Sequence, residues 1–76
     1  MNLYKITRDT PASWDEFRGA VVAAETVMEA VKIHPRGREI EDDDSWVPHT
    51  AVSAEWIGTA VPGTKQGVIL ADFKAG

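Results

Sequence analysis

The sequence predicts an α+β fold in the order strand, strand, helix, strand, strand: a four-stranded, mainly antiparallel sheet with one short helix on one face. Three observations predict it. Apolar runs of strand length recur at residues 2–8, 16–24, 52–61 and 67–73. One helix start signal, Thr26-Val27-Met28-Glu29, has the spacing of a capping box. Proline and glycine fall between these runs, at Pro11, Pro35 and Pro62-Gly63. One helix suffices to cover one face of such a sheet.

In the first strand Tyr4 and Ile6 alternate with Lys5 and Thr7. Residues 9–15, with Thr10-Pro11 and Ser13, read as a turn, so the first two strands form an antiparallel hairpin. The second strand carries Phe17, Val21 and Val22, and Gly19 inside it marks a bulge or a close backbone approach. The helix starts after Thr26 and runs to about His34, with Val27, Ala30, Val31 and Ile33 on its apolar side; Pro35 stops it. Two turns of helix do not stand alone in water, so packing on the sheet must hold them. In the third strand Val52, Ala54 and Trp56 share a face, and Gly58 after Ile57 marks a second bulge. Pro62-Gly63 occupies the two central positions of a tight turn. The last strand, Gly-Val-Ile-Leu-Ala-Asp-Phe, is apolar on both faces, Val68 and Leu70 on one and Ile69, Ala71 and Phe73 on the other. This pattern places it inside the sheet, where Leu70→Ala would leave a cavity costing ~2–5 kcal/mol.

A chain of 76 residues makes one domain and buries only ~60% of its unfolded surface. With no cysteine it has no disulfide and no thiolate metal site, and its stability must come from packing, self-association or a partner. The absence of cysteine fits a reducing cytosol. The N-terminal segment does not read as a signal peptide, and no stretch is long enough to span a membrane. Residues 1–38 hold five acidic and six basic side chains, and residues 39–76 hold seven and two, so the net charge of −4 divides as +1 and −5. Acidity of this kind repels phosphate backbones, which disfavours direct nucleic-acid binding and suits a basic protein partner.

Pro35 to Ala51 has two prolines, a glycine and no clear period, and the loop of about 36–51 carries a dense acidic run, Glu39-Ile40-Glu41-Asp42-Asp43-Asp44. Long loops in small domains are functional or disordered. Mutually repelling carboxylates stay solvated, and the run serves either to solubilise the domain or to imitate a polyanion for a basic groove on a partner. In the second reading the partner-binding residues are Glu39, Glu41, Asp42, Asp43, Asp44 and Trp46, the tryptophan acting as an interface anchor or else as a lid on the core. The run lacks the alternating ligands and central glycine of a calcium loop, so no metal or other cofactor is expected.

An alternative site gathers His34, Arg36, Arg38 and His49 into an anion pocket, although a helix C-terminus opposes an anion there. Catalysis has little to rest on: no G-x-S-x-G, no H-E-x-x-H, no glycine-rich phosphate loop, and no clear base for Ser13, Ser45 or Ser53. The chain reads as a non-enzyme.

The segments Ala20-Val21-Val22-Ala23-Ala24, Ile33-His34-Pro35, Ile57-Gly58-Thr59-Ala60 and Gly67-Val68-Ile69-Leu70-Ala71-Asp72-Phe73-Lys74-Ala75-Gly76 resemble a group of small phage and prophage accessory proteins. The closing segment is the most specific. The resemblance implies a phage context and a protein working in the host cytoplasm, not a chemistry. By size and charge the chain is similar to anti-defence inhibitors, including anti-CRISPR proteins, which bind rather than catalyse. The expected function is inhibition of a host immune protein complex through its basic surface. The alternatives are a sponge for a nucleotide immune signal, acting as an oligomer, and a structural or regulatory phage protein.

Overall fold

The computed structural model describes residues 1–37 and 43–75. The elements in chain order are β1 (Asn2–Arg8), β2 (Glu16–Ala24), α1 (Val27–Val31), a single 3-10 turn (His49–Ala51), β3 (Val52–Thr59) and β4 (Gly67–Lys74). Among the described residues the four strands form one antiparallel sheet in the order β3-β1-β2-β4. The fold is α+β, as the apolar runs predict.

The β1–β2 hairpin is the middle of the sheet. Its register pairs Tyr4 with Val22 and Ile6 with Ala20. These four side chains, with Ala24, Val52 and Ala30 of α1, make the buried core, and Ile6 and Val22 are its largest fully buried members. Val31, Ile33, Trp46, Val47, Ala54, Val68 and Ala71 pack around it. The period of two therefore holds in β1, where Tyr4 and Ile6 are buried and Lys5 between them is exposed.

Gly19 serves both purposes that its position allows. The β2–β4 register slips between Phe17 and Gly19, leaving Arg18 as the extra residue of a bulge. A Cβ on Gly19 would also run into the carbonyl oxygen of Ile6 on β1, so no larger residue fits without moving backbone. The predicted bulge at Ile57-Gly58 is present too: Leu3 pairs with Gly58 but Tyr4 with Trp56. In the Pro62-Gly63 turn the Thr64 amide donates to the Val61 carbonyl at 3.2 Å, with Gly63 at φ +90°, the conformation the third position of a type II turn requires.

The helix is shorter than its sequence pattern predicts. Thr26 caps it, accepting a hydrogen bond on its hydroxyl from the Glu29 amide at 3.2 Å. After Val31 the amides of Lys32 and Ile33 donate to the carbonyls of Glu29 and Ala30, three residues back, so the last turn tightens before Pro35. Val27, expected on the apolar side, is exposed, and Ala30 is the residue of α1 that enters the core.

The largest departure concerns β4. Among the described residues it pairs with β2 alone and is an edge strand, not an inner one. Ile69 is 54% exposed and Leu70 69% exposed, despite the unbroken apolar run. The register slips between Val21, paired with Leu70, and Val22, paired with Val68, so Ile69 is extra. That slip exchanges faces: Val68 and Ala71 reach the core, and Leu70 does not. Strand composition reports how well a segment suits a sheet but not how many neighbours it has there.

Two stability measurements check this arrangement. In urea denaturation, Ile6→Ala is expected to cost about 2–5 kcal/mol, whereas Leu70→Ala should stay within about 0.5 kcal/mol of the parent. Equal losses would restore β4 to the interior. Separately, Thr26→Ala should cost about 1 kcal/mol through the lost cap, and an unchanged midpoint would show that the cap does not hold α1.

Candidate functional site

The chain leaves α1 through Ile33 and His34, crosses residues 38–42, and returns to the sheet at Asp43-Asp44-Ser45. Arg38, Glu39, Glu41 and Asp42 lie outside the described residues. The two ends of this loop meet at one carboxylate. Asp43 Oδ2 accepts from Arg36 Nε at 2.8 Å, and Asp43 Oδ1 accepts from both the amide of Ser45, at 2.9 Å, and its hydroxyl. The amide bond from two residues on is an Asx turn, the local structure aspartate favours.

Ser45 fastens this turn to the sheet. Its carbonyl accepts the Phe17 amide of β2 at 2.8 Å, and its hydroxyl accepts from Arg36 Nη2 at 3.2 Å while donating to Asp43. Amide, carbonyl and hydroxyl of this buried serine are thus all engaged. Arg36 also lies over the Phe17 ring, 5.4 Å from its centre, and the His34 ring meets the same ring edge-on at 6.1 Å. The Nδ1 of His34 accepts from the Arg36 amide at 3.0 Å, which leaves Nε2 to carry the proton of the neutral ring. That Nε2 is shielded from solvent and points at Asp43 Oδ2 from 3.5 Å, longer than a hydrogen bond.

The expectation that every carboxylate of the acidic run stays solvated therefore fails at Asp43, whose side chain is only 9% exposed. The Ser45 hydroxyl and amide, then the Arg36 guanidinium, hold its pKa far below the usual carboxylate range. Asp44 beside it is exposed. Trp46 packs partly buried against the core, as a lid over it.

The alternative anion pocket is divided. His34 and Arg36 do come together, but Asp43 of the same chain is the anion between them. His49 opens the 3-10 turn and joins His34, Lys32, Trp46 and Val47 around a separate cleft of about 440 Å³. Ser45 and Phe17 are the members of this arrangement that the sequence reading passes over. The Asp-x-Ser spacing of Asp43 and Ser45 is the signal that points to the first. The Phe17 amide has none, because its bond to Ser45 spans 28 positions.

Among the described residues no group of three or more His, Asp or Glu side chains is gathered to hold a metal ion, and no helix is long and apolar enough to cross a membrane. Compared with protein-family models, curated proteins and solved structures, the chain shows no match to any of them.

The depressed pKa of Asp43 fixes a pH dependence. The ionised form is favoured by the fold, so its contribution is complete above the unfolded value of ~3.9 and is lost as pH falls through the lower folded value. Asp43→Asn should lower the unfolding midpoint at neutral pH, and the gap from the parent should narrow below pH ~4. A gap that is constant from neutral to strongly acidic pH would mean that the Asp43 charge plays no part.

Proposed function

We propose that this protein is a non-enzymatic inhibitor of the phage anti-defence type, which engages a basic surface of a host immune complex, such as a CRISPR effector, through its acidic loop. The observation that supports the reading is the clamp at Asp43. It consumes one carboxylate of the run to close the loop on β2, and the sequence then sets Glu39, Glu41 and Asp42 between the clamped residues Arg36 and Asp43. Asp44 stands exposed just outside it. A tethered loop loses less conformational freedom on binding than a free one, so more of its charge attraction survives as affinity.

Within this reading the residues divide by task. Asp43, Arg36 and Ser45 close the loop. Glu39, Glu41, Asp42 and Asp44 supply negative charge to arginine and lysine side chains of the partner. Trp46, partly buried against the core, holds the loop's return to the sheet and keeps an exposed part beside the acidic run. Complementary charge acts mainly on the rate of encounter, and salt screens it over ~8 Å at physiological ionic strength.

The nucleotide-sponge alternative draws less from the geometry. A phosphate would have to displace Asp43 from Arg36, in a chain whose net charge is already −4.

The test replaces Glu39, Glu41, Asp42 and Asp44 with glutamine or asparagine and keeps Asp43. Partners are captured from a bacterial host lysate and identified by mass spectrometry. The parent should capture a protein complex in a salt-sensitive manner, and the neutralised variant should fold equally well but lose the capture. Equal capture by both, at all salt concentrations, would refute the acidic-loop mechanism. Recovery of a nucleotide in place of a protein would favour the sponge.

A further inference from the structure

The β4 edge is unlike an ordinary protected sheet edge. It is eight residues long, contains no proline, and exposes Ile69, Leu70 and Phe73. Its outward backbone groups have no strand partner among the described residues. Natural edges of this length carry devices against pairing, such as bulges and inward charges. Here the bulge at Ile69 guards only the first half of the strand. The second half, from Ala71 onward, is regular along its outer side.

We propose that this second half pairs with the same segment of a second copy, joining two four-stranded sheets into one of eight strands. The occupant is argued from the strand's own charge pattern. A two-fold axis normal to the sheet keeps side chains of paired residues on one face, so each residue i can pair only where the strand is centred on a residue. Centring on Leu70 or Ala71 carries the Ile69 bulge into the ladder and breaks its register. Centring on Asp72 sets two carboxylates directly opposite each other. Centring on Phe73 avoids both faults. It pairs Asp72 of each copy with Lys74 of the other, an opposite-charge cross-strand pair made twice.

The same register meets on the core side of the sheet. There Phe73 already lies edge-on to Phe17 at 4.9 Å yet remains 42% exposed. Pairing Phe73 with its own copy extends this contact into a cluster of four rings and covers the exposed part. The Lys74 ammonium donates to the Ala12 carbonyl at 3.2 Å and sits 4.7 Å from the centre of the Trp14 ring. That one hydrogen bond leaves two of its three donors for Asp72 of the second copy. Among the described residues Ile6 and Val22 are the largest side chains buried completely, so the core is thin and added burial at this edge is stabilising.

The experiment is sedimentation equilibrium of the full chain across the micromolar range, with two single charge reversals, Asp72→Lys and Lys74→Asp. The parent should be a dimer. Each variant alone should be monomeric, because the first sets lysine against lysine and the second aspartate against aspartate. An equimolar mixture of the two should recover the dimer, since only the mixed species restores both opposite-charge pairs. Circular dichroism of each variant establishes that it is folded, and recovery in the mixture is a readout that a merely misfolded variant cannot give. A parent that stays monomeric throughout overturns the proposal, and so does a dimer that survives both reversals. Variants that lose the dimer without recovering it on mixing overturn the Phe73-centred register.

Discussion

The ion pair of Arg36 with Asp43 is the interaction on which the loop, and with it the functional reading, depends. It sits where three separate parts of the chain converge: the end of α1, the return of the loop, and the first residues of β2. Surface ion pairs are generally weak, but this one is not an isolated pair. The Asp43 carboxylate accepts from a backbone amide, a hydroxyl and a guanidinium together, and the guanidinium rests on the Phe17 ring. Each contact fixes a group that the next one uses, so the ordering cost is shared across the network.

The sheet supplies the platform for this clamp. Phe17 is available to it because β1 and β2 part company at their far end. Pairing between them stops at Thr7 and Gly19, and beyond that point the Phe17 backbone has no β1 ladder partner. The Phe17 carbonyl accepts from Arg8 Nη1 at 3.3 Å and its amide donates to Ser45. Side chain and loop thus complete hydrogen bonds that a longer hairpin would have made with backbone. Arg8 also meets the Glu16 carboxylate at 3.3 Å, which ties the two ends of the hairpin loop together. The bulge at Arg18 lies next to this junction, between the residue that receives the loop and the glycine that lets β1 approach.

What the sequence discloses about this structure is what local chemistry decides. The hairpin, the Thr26 cap, the Gly19 and Ile57-Gly58 irregularities and the Pro62-Gly63 turn each follow from residues within a few positions of one another. The place of β4 does not. Its apolar run fits an inner strand equally well, and only its pairing with β2, some fifty residues earlier, puts it at the edge. The site divides in the same way. The acidic run is plain in the sequence as charge, and the serine two positions on is the one local mark that separates Asp43 from Asp44. Arg36, seven positions back, and Phe17, on another element, make one a buried-side clamp and leave the other in solvent. The histidine–arginine cluster is equally plain, but its anion comes from within the chain.

In the proposed function one acidic side chain holds the loop and its neighbours meet a partner, a division that rests on the electrostatic state of Asp43. A carbon-detected NMR titration of the side-chain carboxyl groups measures that state directly. The Asp43 carboxyl should remain ionised through the usual carboxylate range and begin to titrate only well below it, because the Ser45 and Arg36 donors must be given up on protonation. An Asp43 inflection near the ordinary ~3.9 would contradict the clamp and return the whole run to the solvated loop that the sequence alone describes.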